Sequence, residues 1–369
     1  MTDPDRADAV LTIDLDAVAA NWRKLQRMVE PALCAAVVKA DAYGLGADRV
    51  APALAAAGCR SYYVAQLDEG IALRRHLAAA EIAVFDGVLP GAEAELAQHR
   101  LVPVLNSLDQ IDRWAALARG GRELPAILHI DTGLNRLGLS SGEVERLAAE
   151  PGRLAGLALR AVISHLACAD RPDDPMNAAQ LESFRRLRGK LPPARASIAS
   201  SSAIFLDPAF HLDEVRPGAA LYGLRPLPNQ PNPMTQVIAL HAQILQVRDV
   251  DRPMTVGYGA TYPVRRPSRI ATVGVGYADG YFRALSNRSL GFIGDHPAPL
   301  VGRVSMDLVT LDVTDVPAAL ARPGARIELV GPHRTLDQIA ADAGTIDYEM
   351  LTSLGMGQRF HRRYLGGPT

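Results

Sequence analysis

Leu33-Cys34-Ala35-Ala36-Val37-Val38-Lys39-Ala40-Asp41-Ala42-Tyr43-Gly44-Leu45-Gly46 decides the fold. Its apolar first half reads as a short strand, and a glycine-rich turn ends it. An amphipathic helix over residues 48–57 follows. The same unit recurs along the first two-thirds of the chain. Apolar runs centre on residues 33–39, 61–66, 82–87, 102–106, 126–131, 161–165, 196–200 and 213–216. Helical segments such as 109–118, 143–149 and 178–191 separate most of them. Eight strand–helix units predict a parallel (β/α)8 TIM barrel. A doubly wound open sheet is the competing arrangement. It normally carries a glycine fingerprint at its first helix, and none is present here.

An opening strand at 11–16 and a helix at 17–29 precede the barrel units. After them, Pro226-Leu227-Pro228-Asn229-Gln230-Pro231-Asn232-Pro233 is a stiff connector, with four prolines in eight residues. Alternating β-type runs at 237–247, 270–276, 300–313 and 326–330 follow, then short helices at 336–343 and 348–354. The chain therefore divides into a barrel, 1–232, and a mostly β C-terminal domain, 233–369. A length of 369 residues, 48% of them hydrophobic, suits two domains with sizeable cores.

A net charge of -1 argues against nucleic acid or an anionic membrane as the main partner. Three cysteines, Cys34, Cys59 and Cys168, give no metal spacing and no disulfide framework. The acidic start of the chain lacks the pattern of a signal peptide, and no apolar run reaches 18 residues. A cytoplasmic protein without bound metal is expected.

Only three lysines occur, against 36 arginines. Lys24 and Lys190 lie in polar helical stretches, where a solvated charge suffices. Lys39 ends an apolar strand, a setting that lowers an amine pKa and suits a Schiff-base lysine. A surface lysine at a strand end is the plainer reading. Other reactive groups fall at the same end of their strands. Arg136 follows the fifth, His165 ends the sixth, Ser200, Ser201 and Ser202 end the seventh, and Arg216 ends the eighth before Pro217-Gly218. Each has a plain reading: a core histidine, a helix cap over 203–205, a turn, a surface charge. Together they converge on one barrel mouth, where active sites of this fold sit. A lysine facing a phosphate cradle of serine hydroxyls and glycine backbone is the layout pyridoxal phosphate requires.

The ordered motifs resemble the bacterial alanine racemases, fold-type III pyridoxal phosphate enzymes. They are Val-Val-Lys-Ala-Asp-Ala-Tyr-Gly at 37–44, Asp-Thr-Gly-Leu-Asn-Arg-Leu-Gly at 131–138 and Arg-Pro-Gly at 216–218. Gly-Tyr-Gly-Ala-Thr-Tyr at 257–262, Gly-Tyr-Ala-Asp-Gly at 276–280 and Gly-Arg-Val-Ser-Met-Asp at 302–307 complete the set. The resemblance implies a barrel plus a β domain that includes the opening strand, and a head-to-tail homodimer with shared active sites. It implies interconversion of L- and D-alanine, to supply D-alanine for peptidoglycan or for alanine catabolism. Lys39 would carry pyridoxal 5'-phosphate and act as one base, with Tyr258 of the other subunit as the second. Tyr43, Ser202, Gly218 and Tyr348 would hold the phosphate. Arg216 would face the pyridine nitrogen, with His165 behind it. Arg136, the backbone of Met306 and the entrance residue Tyr277 would meet the substrate.

Three departures stand out. His129 occupies a position where many members of the family have a lysine that can be carbamylated. Asn135, with a bound chloride, is the expected substitute beside Arg136. Ser305 stands where cysteine is common, and 355–361 also departs from the usual pattern. A broader amino-acid racemase, a basic amino-acid decarboxylase and a cofactor-binding protein without robust catalysis are the competing functions. Tyr258 and Arg216 fit a decarboxylase poorly, and a whole β domain argues against a simple binding protein.

Overall fold

The computed structural model describes residues 7–118, 121, 123–357 and 359–368. Residues 1–6, where no signal peptide is expected, lie outside the described residues, as do Gln358 and Thr369. Seven parallel strands follow one another in chain order: Ala36–Val37, Ser61–Val64, Glu81–Val84, Val102–Leu105, Leu124–His129, Leu157–Ile163 and Arg195–Ser197. The eighth, Glu214–Val215, pairs in parallel with Leu33–Cys34, the opening half of the first strand. It reaches the seventh through Asp213 N to Ala196 O at 3.0 Å and Arg216 N to Ala199 O at 2.9 Å. These links close the ring, so the chain forms a barrel and not an open sheet.

Local signals explain the elements. The strands Ser61–Val64 and Val102–Leu105 are buried at every residue, as expected when helices cover one side and barrel interior the other. Between them, helices such as Ala47–Ala57, Leu108–Ala118, Ser141–Ala149 and Pro175–Arg188 pack outside. Ser140 and Glu143 form a capping box. Asp174 caps the helix that Pro175 opens. The link from the seventh strand to the eighth holds only the short turns Ala203–Phe205 and Pro208–Phe210.

The long strand Ile238–Val250 organises the rest. It pairs antiparallel with Ala9–Asp14, Ser268–Val273 and Arg326–Val330. Ala9–Asp14 also pairs in parallel with His361–Leu365, a strand the sequence pattern did not signal. The opening strand thus begins two residues earlier than expected and lies in the C-terminal sheet. The strand expected over 300–313 narrows to Val309–Asp312. Ser305 is the reason: its N–H reaches Leu308 O at 3.0 Å, and its hydroxyl donates to the same carbonyl. That local turn takes groups a ladder would need. Among the described residues, no helix is long and apolar enough to cross a membrane.

Two contacts fix the C-terminal part against the barrel. The Asn21 side chain donates to Leu221 O and Thr235 O and accepts from Thr235 N, stapling both ends of the proline-rich connector. Lys24 also donates to Pro233 O, so it is not simply solvated. Gly44, in the turn after Lys39, meets Gly355 of the helix Asp347–Met356 backbone to backbone. A Cβ on Gly355 would lie 2.6 Å from Gly44 Cα. Gly355→Ala is expected to cost about 1–3 kcal/mol by overpacking. Urea unfolding reads this directly, and an unchanged midpoint contradicts it.

Candidate active site

A cavity of about 670 Å³ opens at the C-terminal ends of the barrel strands. Lys39, Tyr43, His129, Arg136, His165, Arg216, Gly218 and Tyr348 line it, with Ser200 and Ser201. Groups that the sequence places at the ends of different strands and on a C-terminal helix therefore share one space.

Lys39 follows the first strand directly. Burial is the main force lowering its pKa, and the Arg136 guanidinium adds to it, against the carboxylates of Glu69 and Asp86. Its ammonium nitrogen lies 5.9 Å from the Phe85 ring centre. The next four residues run in a left-handed turn, with φ of 53°, 54°, 54° and 57° at Ala40, Asp41, Ala42 and Tyr43. Non-glycine residues resist this hand by roughly 1–2 kcal/mol each. The surroundings hold the turn. Ala40 N donates to Glu69 Oε1 at 2.5 Å, Ala47 N to Asp41 Oδ1 at 2.7 Å, and Gly44 N to Ala40 O at 2.7 Å. Glu69 also accepts from Ala65 N and Gln66 N, so one carboxylate ties the first and second strand ends together.

The turn carries Tyr43 to the loop after the eighth strand. A Cβ on Gly218 would lie 2.3 Å from Tyr43 Oη, so only glycine permits this approach. Ser201 Oγ accepts from Gly218 N and Ala220 N, which shapes that loop. Ser202 is buried beside Tyr348, and its side chain does not cap the turn that follows. The neutral hydroxyls of Tyr43, Ser201, Ser202 and Tyr348 thus gather around this loop, donors of a kind that fits a phosphate ester.

Arg216 is only 4% exposed. It donates to Ser197 Oγ and, at 2.6 Å, to Ser164 O. Burial and the Arg216 charge push the His165 pKa down to about 3. The same two causes, in that order, bring His129 to about 4. Asn106 fixes the tautomer of His129. Its amide nitrogen donates to Phe85 O and Val104 O, which leaves Oδ1 to accept from His129 Nδ1 at 2.7 Å. His129 Nε2 therefore keeps a lone pair. Asn135 turns to Gly133 O and makes no hydrogen bond with Arg136, against the expectation that it substitutes for an orienting lysine. Among the described residues, the Arg136 guanidinium has no hydrogen-bonded or ion-paired partner and lines the cavity.

Tyr258, Met306 and Tyr277 are not among the lining residues. They sit on the C-terminal part at 72%, 53% and 43% exposure. Ala278 N donates to Met306 O, which places Tyr277 and Met306 side by side. The sequence reading also missed Tyr63 and Glu214, buried beneath Arg216. A signal existed: Glu214 precedes Arg216 by two, the spacing that puts strand side chains on one face.

Both imidazoles stay neutral where an unfolded histidine takes a proton. Below pH 6.5 the unfolded chain then binds more protons, so stability falls as pH falls from 6.5 towards 4. The urea midpoint should drop across that window, and His129→Asn with His165→Asn should flatten the drop. Neither ring should titrate by NMR near its ordinary value of about 6.5; a midpoint there contradicts the burial argument.

Comparison with known proteins agrees with this geometry. The family model described as "Alanine racemase, N-terminal domain" matches residues 13–226, and "Alanine racemase, C-terminal domain" matches 237–364. The chain is 53% identical to an alanine racemase of Rhodospirillum rubrum over 98% of this chain and 97% of that one. It is 46% identical to one of Brucella abortus over 98% and 96%. The crystal structure of alanine racemase from Bartonella henselae with covalently bound pyridoxal phosphate superposes with a TM-score of 0.93 at 41% identity, covering 97% of this chain and all of that one. The biosynthetic alanine racemase from Pseudomonas aeruginosa gives 0.90 at 37%, covering 98% and all. With both domain models and full-length relatives in agreement, the chain belongs to the alanine racemase family.

Proposed function

We propose that this chain is a pyridoxal 5'-phosphate-dependent alanine racemase. The observation that carries the reading is the single cavity that Lys39, Arg216 and the Tyr43–Gly218–Tyr348 hydroxyl and backbone cluster share. An amine of lowered pKa stands on one side, and neutral phosphate donors stand on the other. Lys39 would hold the cofactor covalently, and Tyr43, Ser202, Gly218 and Tyr348 its phosphate. Bound there, pyridoxal phosphate supplies an electron sink that acidifies the α carbon of alanine.

This chain's residues supply the rest. Arg136, with no protein anion paired to it, would bind the substrate carboxylate, together with the backbone of Met306. Lys39 Nζ takes the α proton on one face or returns it there. Inversion needs a second base on the opposite face. Tyr258 of a second copy would supply it. Arg216 offers only donors, so a ring nitrogen held against it would stay an acceptor. That would limit electron withdrawal and suppress transamination, with His165 neutral nearby.

The assignment of 1–232 to the barrel and 233–369 to a domain serving the partner's site belongs to this reading. So does a head-to-tail homodimer, supported by the exposed Tyr258, Met306 and Tyr277. Tyr277 would line the entrance. Three free, buried cysteines fit a reducing cytoplasm, where the product would serve peptidoglycan synthesis or alanine breakdown.

The deciding experiment is an absorption spectrum of the purified protein, then L-alanine in D2O with NMR and chiral analysis. A cofactor band lost in Lys39→Ala, with α-deuterium uptake and D-alanine formed, supports the reading. A band without exchange overturns it, and serine, lysine and arginine then become the substrates to test. Tyr258→Phe should lower turnover by about a hundredfold or more. Arg216→Glu should raise transamination per turnover; no change contradicts its assigned role.

A further inference from the structure

A carboxylate lies beneath the cavity with no task in the reaction just described. Glu214 is 0% exposed, on the eighth strand two residues before Arg216. Tyr63 Oη donates to Glu214 Oε1 at 2.6 Å. Oε2 accepts no hydrogen bond among the described residues and faces Arg195 Nη1 at 3.3 Å. Arg195 is bonded in turn to Glu81, at the foot of the barrel.

The network reaches Arg216 by two routes. The Tyr63 ring centre lies 5.9 Å from Arg216 Cζ and stacks at 5.1 Å on Phe85, the ring below Lys39. Ser197, which accepts from Arg216, donates to the Glu214 carbonyl at 2.6 Å. Burial weakens the hold of Arg216 on its proton, and Tyr63 and Glu214 oppose that effect. A buried guanidinium without a counter-charge is strongly unfavourable. Without Glu214, Arg195 keeps Glu81, and the buried Arg216 loses the Glu214 charge.

We propose that Glu214 is a positioning residue. By its charge and through Tyr63, its carboxylate holds the Arg216 guanidinium as a fixed cation against the cofactor ring. This rests on the reading of the cavity as a pyridoxal phosphate site. A purely structural ion pair would stabilise the empty and loaded proteins equally. A positioning residue adds to the gain on cofactor binding.

The test measures pyridoxal phosphate affinity of the cofactor-stripped protein, and melting temperatures of loaded and stripped forms. It compares wild type with Glu214→Gln, Glu214→Asp and Tyr63→Phe. Glu214→Gln keeps size and removes charge. It should weaken cofactor binding about tenfold and shrink the loaded-minus-stripped difference. Glu214→Asp should bind more tightly than Glu214→Gln, and Tyr63→Phe should weaken binding less than Glu214→Gln. Wild-type affinity in Glu214→Gln, or equal melting losses in both forms, overturns the proposal. If Glu214→Gln does not fold, wild-type affinity in Tyr63→Phe overturns it. Wild-type protein that binds no cofactor overturns the site reading itself, and this inference with it.

Discussion

A guanidinium closed inside a barrel is the constraint around which this site is arranged. Arg216 has five N–H donors and almost no access to water, so the strands around it must supply acceptors and charge. They do so from four directions: Tyr63 on the second strand, Ser164 after the sixth, Ser197 on the seventh and Glu214 on the eighth. The same charge acts upward. It helps keep His165 and His129 neutral, so the cavity holds two imidazoles without adding two cations. Lys39 and Arg136 share this cavity, and burial together with that second cation favours the free amine against the pull of Glu69 and Asp86.

The second constraint is strain. Four successive non-glycine residues in the left-handed region would unwind in water. They persist because the turn is enclosed. Glu69 holds its start, Asp41 accepts from Ala47, and Gly355 presses against Gly44. Two of these clamps come from the barrel and one from the C-terminal helix that also carries Tyr348. The C-terminal part therefore does more than cover the mouth. It shares in holding the backbone that aims Lys39 and Tyr43.

Much of this was legible in the chain. The eight apolar runs were visible because buried parallel strands are apolar on both faces, which needs no knowledge of their partners. Lys39, His165 and Arg216 stood out because each interrupts such a run at its end. What could not be read was pairing at a distance. His361–Leu365 has no strong strand pattern and becomes a strand only because Ala9–Asp14 offers it an edge. Nothing local announces that Asn106 fixes His129, or that Asn135 bends back to Gly133. Glu214 was the nearer miss. Its period-2 relation to Arg216 was present, but a carboxylate beside an arginine in a strand usually faces solvent. Only closure of the barrel turns both inward.

The proposed inversion needs a second base opposite Lys39. Among the cavity-lining side chains, Lys39 is the one amine, and His129 and His165 are the imidazoles. His129 has Nδ1 tied to Asn106, and its Nε2 is a weak acceptor at a pKa near 4. His165 is weaker still, beside the Arg216 cation. Neither imidazole is therefore a base comparable to Lys39. Tyr258 is 72% exposed on a tight turn of the C-terminal part, and on the proposed reading it would serve another copy's cavity and not its own. On the proposed reading, a barrel that supplies one base and a β domain that presents another outward would be complementary halves, and two copies in opposed orientation would complete both sites at once.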